Sequence, residues 1–215
     1  MLPEPEGPRE GQLGSVTPVS RVPIAGDSSA AGVGVLNQDH AFAGHFTRTL
    51  HRRSNRAVRW RLRAKSGLTT RQVHAVLRAH PPPVADVAVL LTGVNDVMGP
   101  IPPQRAVQHR AALPKWLLGE GRARHVLFEL LPQPLRRGMG AEAWLHDAAM
   151  VQWAAGRHNL FHTPISLQLA PVAMSSDGFY AGGPSAAPAA KRSRVSSSRR
   201  SCRWRLDGPF GRALV

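Results

Sequence analysis

Cysteine, long apolar runs and acidic residues are scarce in this chain, and each shortage excludes something. The single cysteine, Cys202, has no partner for a disulfide bond within the chain, which fits a reducing compartment. No apolar run approaches the roughly 18 residues that a membrane-spanning helix requires. Residues 1–20 lack the basic start and the apolar stretch of a secretory signal, so we expect a cytoplasmic protein.

The shortage of acidic residues leaves a strong excess of positive charge. The sequence has 28 lysines and arginines against 13 aspartates and glutamates, which gives a net charge of +15. Such a balance is typical of nucleic-acid-binding proteins. The charge is unevenly distributed, however, because residues 191–215 contain eight basic residues and one acid. The rest of the chain is only moderately basic, so nucleic acid is not the expected partner.

Between residues 21 and 183 the apolar residues indicate alternating strands and helices. A hydrophobic content of 42% in 215 residues is enough for one domain with a substantial core. Apolar runs predict strands that end at Gly26 or span Ala57–Ala64, Val84–Leu91, His125–Leu131 and Leu160–Ile165. Helical spacing predicts helices at His40–Arg53, between Thr69 and Pro81, at Pro103–Leu118 and at Gly140–Arg157. We therefore expect a three-layer α/β/α domain with a five-stranded parallel sheet.

The pattern also predicts local features of this domain and of the segments that flank it. Pro114 is expected to bend or break its helix. Residues 1–20 are rich in proline, glycine and glutamate and are expected to form a disordered tail. Residues 184–215 show neither period and are expected to form a disordered extension rich in arginine, serine and alanine. In the last predicted helix, the side chains expected to face the core are Trp144, Leu145, Ala148 and Ala149.

The first predicted strand ends in Gly26-Asp27-Ser28, followed by small residues. Glycine permits a tight turn, and the turn would present Ser28 at the carboxyl end of a strand. Open α/β sheets bind their ligands at that edge. Taken alone, the tripeptide is equally consistent with an ordinary turn.

Three further stretches follow in order along the chain. Gly67 lies in Ser-Gly-Leu-Thr-Thr after the second of these strands, and Asn95 lies in Gly-Val-Asn-Asp after the third. Asp177-Gly178-Phe179-Tyr180 comes near the end of the predicted domain. Each stretch alone would be read as a turn or a helix cap. Their ordered occurrence points instead to one site at the carboxyl edge of the sheet.

These four stretches resemble the SGNH hydrolases, also called the GDSL esterase/lipase superfamily, which is named after Ser, Gly, Asn and His. The resemblance implies a flavodoxin-like fold and hydrolysis of a small acyl ester through an acyl intermediate on Ser28, without a metal or cofactor. It also implies an oxyanion hole made by the backbone N–H groups of Ser28 and Gly67 and by the amide of Asn95. Such donors stabilise the negative charge of the tetrahedral intermediate.

The chain departs from the family pattern at the general base, because Tyr180 stands where the family has histidine. A tyrosine hydroxyl with a pKa near 10 is a poor proton acceptor at neutral pH, and Asp177 then has no imidazole to orient. His162 is the nearest spare histidine in sequence. We expect either an impaired ester hydrolase or, as the alternative, an inactive SGNH-like binding module whose basic tail contacts nucleic acid or another acidic partner.

The second departure is the C-terminal segment. Family members continue into an amphipathic helix, whereas residues 184–215 offer no apolar stripe. A frame change near Pro184, a basic tail with its own role and a plain solvated extension all remain open. The oligomeric state is equally open.

Overall fold

The computed structural model describes residues 3–99, 101–131 and 140–163. The strands are β1 (Glu10–Leu13), β2 (Val19–Gly26), β3 (Ala57–Ala64), β4 (Ala85–Leu91), β5 (Ala123–Glu129) and β6 (Leu160–Thr163). The helices are α1 (Ser28–Ala31), α2 (Phe42–Ser54), α3 (Thr70–Ala79), α4 (Val94–Met98), α5 (Pro103–Gly119) and α6 (Gly140–Ala154). The strands form one sheet in the order β1-β3-β2-β4-β5-β6.

The sheet is parallel from β2 to β6, as predicted, and gains one antiparallel strand at its edge. Parallel pairing joins β3 to β2, β2 to β4, β4 to β5 and β5 to β6. The added strand β1 is antiparallel to β3. The three-layer α/β/α prediction is therefore confirmed, with six strands rather than five.

The additional strand comes from the N-terminal stretch that composition predicted to be disordered. Glu10 pairs with Arg61 of β3 at 2.6 Å, and Glu4 pairs with Arg9 at 3.0 Å. Glu4 also accepts a hydrogen bond of 2.7 Å from the backbone N–H of Ser66. The glutamates of this stretch thus form ion pairs, Glu10 with Arg61 of β3 and Glu4 with Arg9. The pairing with β3 is a tertiary contact that local composition does not reveal.

The side chains of β3 alternate between the two faces of the sheet. Val58, Trp60 and Leu62 are buried against α2, which contributes Leu50 to the same core. A second core on the opposite face is formed with α3, α5 and α6. This second core reaches Leu90 of β4 and leaves the arginines of β3 exposed. One face of β3 therefore stays accessible to solvent.

Two helices differ from expectation. Helix α5 runs unbroken through Pro114, because Leu113 and Leu117 are fully buried and their packing offsets the lost backbone hydrogen bond. In α6 the predicted inward face is wrong, since Trp144 and Leu145 are 64% and 54% exposed. Its buried side chains are Ala143, His146, Asp147 and Met150. Among the described residues, no helix has the length and hydropathy needed to cross a membrane.

Candidate active site

Three loops leave the sheet side by side at its carboxyl edge. Gly26 of β2 is the register partner of Ala64 in β3 and of Leu91 in β4. Ser28 follows two residues after Gly26, and Gly67 follows three residues after Ala64. Asn95 follows four residues after Leu91. The parallel topology therefore brings all three predicted residues to one edge of the sheet, on neighbouring loops.

Ser28 is the first residue of α1 and is 6% exposed. Asp27 caps this short helix, since its carboxylate accepts a 3.0 Å hydrogen bond from the backbone N–H of Ser29. The Asp27 N–H donates to the carbonyl of Leu91 at 3.0 Å. A Cβ at Gly26 would lie 2.0 Å from that same carbonyl oxygen, so only glycine lets the turn pass this close to β4. These contacts fix the position of Ser28 relative to the sheet.

Gly67 has a φ of +83°, and a Cβ built there would have no atom within 4 Å. The backbone is thus bare and open where the resemblance requires an N–H donor. The Asn95 amide Nδ2 donates to the carbonyl of Leu68 at 3.0 Å, which links Asn95 to the residue after Gly67. The Thr70 N–H donates to Asp96 at 3.0 Å, and the Thr70 and Thr92 hydroxyls are hydrogen-bonded to each other, so three hydrogen bonds join these two loops.

Carboxyl groups lie buried beneath these loops. Asp27 and Asp96 are both fully buried. Burial, and to a smaller extent the negative charge of Asp96, raise the pKa of Asp27 to about 7, against the lowering effect of hydrogen bonds from Ser29 and Gly93. Burial also raises the pKa of Glu129, at the end of β5, to about 8. Of the carboxyl groups at the base of the candidate site, Asp27 and Glu129 therefore hold a proton more readily than usual near neutral pH.

We expect Asp27→Asn to flatten the dependence of stability on pH. The native pKa of about 7 lies above the ordinary aspartate value of 3.8, so the native state holds the proton more tightly and loses stability as pH rises between these values. Asparagine keeps the cap but cannot ionise. Urea unfolding should show the variant gaining stability relative to wild type, with a clearly larger gain at pH 8 than at pH 5.

The exposed Asp39→Asn is the matched control, since Asp39 lies on the surface with a weak ion pair of 3.9 Å to Arg48. It should leave the pH dependence unchanged. Equal slopes for wild type and Asp27→Asn would contradict the raised pKa.

The predicted residues Asp177 and Tyr180 lie outside the described residues. His162 of β6 packs against Phe128, with ring centroids 5.8 Å apart, and burial lowers its pKa. His162 is thus a partly buried histidine packed against β5. Among the described residues, no group of three or more His, Cys, Asp or Glu side chains could hold a metal ion.

Sequence reasoning missed a buried ion pair under the third loop. Arg110 of α5 is 4% exposed and contacts Asp147 of α6 at 3.1 Å. Its guanidinium also donates to the carbonyl of Glu129 at 3.2 Å. A Cβ at Gly93 would lie 2.9 Å from the Arg110 Nε, so the arginine packs directly beneath the turn that leads to Asn95. The signal available in the sequence was the position of Arg110, which has the apolar Ala106 and Leu113 at helical spacing.

Asp147 extends this pair to another loop. Its second carboxylate oxygen accepts a 2.8 Å hydrogen bond from the backbone N–H of Leu131, which follows β5. Burial raises the pKa of Asp147, while the charge of Arg110 lowers it. One ion pair thus joins α5, α6 and the segment after β5.

The fold and the position of these loops define a three-layer α/β/α protein with a candidate site at the carboxyl edge of its sheet. Within that class, the chain belongs to the GDSL-like lipase/acylhydrolase family, whose model matches residues 24–178. The family predicted from the four motifs is thereby confirmed, and the chain is an ester hydrolase in general terms. The matched range includes Ser28, Gly67, Asn95 and Asp177 and ends before Tyr180.

Solved structures of similar fold come from the same class. A lipase from a goat rumen metagenome has a TM-score of 0.65 at 16% identity, over 76% of this chain and 90% of its own. The esterase EstA from Pseudoalteromonas sp. has a TM-score of 0.59 at 16% identity, over 76% and 88%. An acetylxylan esterase from Geobacillus stearothermophilus has a TM-score of 0.58 at 14% identity, over 76% and 87%. No curated protein sequence matches this chain significantly.

Proposed function

We propose that this chain hydrolyses small carboxylic esters through nucleophilic attack by Ser28. The observation that carries the proposal is the convergence of three loops: a hydrogen bond from Asn95 to the Leu68 carbonyl joins two of them, and one from the Asp27 N–H to the Leu91 carbonyl holds the third against β4. In family members the corresponding residues act together on one carbonyl group. The geometry supports the same arrangement here.

The proposed reaction follows from the groups at the carboxyl edge. The Ser28 oxygen attacks the ester carbonyl carbon, and the hydroxyl proton passes to a base. The carbonyl oxygen becomes an oxyanion and accepts hydrogen bonds from the N–H groups of Ser28 and Gly67 and from Asn95. The alcohol then leaves with a proton, and water attacks the acyl-serine to release the acid and restore the hydroxyl. An asparagine amide has two N–H groups, so Asn95 can bind the Leu68 carbonyl and still donate to the oxyanion.

The proposed reaction requires a general base to accept the Ser28 proton. Tyr180 occupies the family position of histidine and does not accept a proton readily at neutral pH. Enzymes that lose one member of a catalytic triad keep a residual acceleration on the order of 10³–10⁴ over water, from the oxyanion hole and binding. We therefore expect slow but measurable hydrolysis of a substrate such as p-nitrophenyl acetate.

A fluorophosphonate probe tests Ser28 directly, because it leaves a stable adduct on an activated serine. The psychrotrophic esterase among the similar structures is described as inhibited by monoethylphosphonate. We expect adduct formation on Ser28 over hours, detected by peptide mass spectrometry, and none in Ser28→Ala. The neighbouring Ser29→Ala is the control and should still react. The proposal is contradicted if the wild-type protein is not labelled or if Ser28→Ala is still labelled. The inactive binding module would then be favoured.

A further inference from the structure

A groove runs along the exposed face of β3, on the side of the sheet away from α2. Its floor carries Arg21 of β2 and Arg59, Arg61 and Arg63 of β3, all exposed. Helix α3 and the proline loop that follows it form the opposite wall. Two adjoining cavities of about 730 Å³ each lie between the four arginines and this wall, and together they form what we call the arginine groove.

The floor has a net positive charge that the described residues do not neutralise. Arg61 pairs with Glu10, and Arg59 donates to the Gln12 side chain at 3.0 Å. The guanidinium groups of Arg21 and Arg63 have no ion-pair or hydrogen-bond partner within the part of the chain that the structure describes. Four arginines against Glu10 and Asp86, whose carboxylate accepts a 2.8 Å hydrogen bond from the Arg21 backbone N–H, leave an excess of two positive charges on this surface.

The arginines have a regular spacing. Alternate residues of a strand lie about 7 Å apart on the same face, so Arg59, Arg61 and Arg63 form a row along β3. Arg21 is the register partner of Arg59 and lies beside it on β2, at about 4.8 Å between the backbones. An extended peptide with acidic residues at alternate positions repeats at the same interval. The floor therefore matches an extended acidic chain in both charge and spacing.

The wall identifies which kind of acidic chain fits best. It presents Val84 and Val76, which are 54% and 40% exposed, respectively, above the buried Leu77 and Pro82. Sites for single-stranded nucleic acid combine basic residues with aromatic rings on which the bases stack. Trp60, at the floor, is 8% exposed and packs into the core of the opposite face. A wall of aliphatic and proline side chains favours apolar peptide side chains over bases.

We propose that the arginine groove binds an extended segment of a partner protein in which acidic residues alternate with aliphatic ones. The carboxylates pair with the floor, above all with Arg21 and Arg63, and the aliphatic side chains pack against α3 and the proline loop. The groove ends at Lys65 and Leu68, in the loop that holds Gly67. A bound segment would thus lie beside the candidate active site, on a surface that the proposed hydrolysis does not use.

Fluorescence anisotropy with the full-length protein tests this binding. The probe is a fluorescein-labelled octapeptide of alternating glutamate and valine. We expect saturable binding that weakens as salt rises from 50 to 300 mM, and no binding of the matching lysine–valine peptide. The double variant R21S/R63S should weaken binding by about tenfold or more. V76S/V84S should weaken it by about threefold or more, since it removes apolar contact and no charge.

The control variant R52S/R53S removes two exposed arginines from α2, on the other side of the sheet. Its binding should equal that of wild type, because these two arginines lie outside the arginine groove. The basic residues 191–215 are present in every variant, so they do not affect the comparison. The proposal is overturned if the glutamate–valine peptide does not bind or if R52S/R53S loses as much affinity as R21S/R63S. It is equally overturned if octathymidylate binds as tightly as the peptide, or if V76S/V84S has no effect.

Discussion

Tyr180→His is expected to raise kcat/KM for p-nitrophenyl acetate by about 10²- to 10⁴-fold, which is the usual contribution of a positioned general base. Histidine has a pKa near 6.5 and can accept the Ser28 proton at neutral pH, which tyrosine cannot. Asp177 would regain the imidazole that its family counterpart orients. The gain should appear in kcat, since the substituted group moves a proton and does not bind the ester.

The pH profile of the variant provides a second readout. Activity should rise with pH through the histidine pKa, because only the neutral imidazole accepts a proton. Wild type should lack that transition. Adding Ser28→Ala to Tyr180→His should remove the gain, which would tie the new base to the proposed nucleophile.

The neighbouring Phe179→His is the matched control for Tyr180→His. It introduces the same imidazole one position earlier and should leave the rate at the wild-type level. A folded Tyr180→His variant without a gain would mean that the base lies elsewhere or that residues near 180 do not reach Ser28. His162→Ala in wild type distinguishes these cases, since loss of residual activity would identify His162 as the base in use.

The strands and their order along the chain were accessible from the sequence because their signals are local. Strand β3 occupies the predicted Ala57–Ala64, where apolar residues alternate with arginines. The capping box of Thr69 and Gln72 marks the start of α3 in both the sequence and the structure. Strand β1 has no such local signal. Its four residues are stabilised by contacts with β3, such as the ion pair of Glu10 with Arg61, which lies 51 positions further along the chain.

The candidate site could likewise be predicted only in part from local sequence signals. Gly67 is required by its positive φ and Gly26 by the close approach of the Leu91 carbonyl, and both glycines lie in short motifs that can be recognised in the sequence. The orientation of α6 could not, because it depends on the pairing of Asp147 with Arg110 in a different helix. That pairing turns Asp147 and His146 inward and leaves Trp144 and Leu145 exposed. A periodicity argument that counts apolar residues has no means to include a buried ion pair.

Arg110→Met is the second substitution with a large expected effect, here on stability. The change keeps much of the aliphatic volume but leaves Asp147 buried with its hydrogen bond from Leu131 and without its countercharge. Removing one partner of a buried pair typically costs about 3–5 kcal/mol. We expect a loss of that size in urea unfolding at pH 8, and a smaller loss at pH 5, where Asp147 can take up a proton more readily.

The double variant R110M/D147L separates the cost of an unpaired charge from a general packing defect. Replacing both partners with apolar side chains leaves no buried charge, and such replacements are often close to neutral. We therefore expect the double variant to recover most of the stability lost in Arg110→Met. The exposed pair of Arg61 and Glu10 is the control, because Arg61→Met should cost no more than about 1 kcal/mol. If R110M/D147L is as unstable as Arg110→Met, shape rather than charge holds the turn at Gly93 in place, and the ion pair does not brace the loop that carries Asn95.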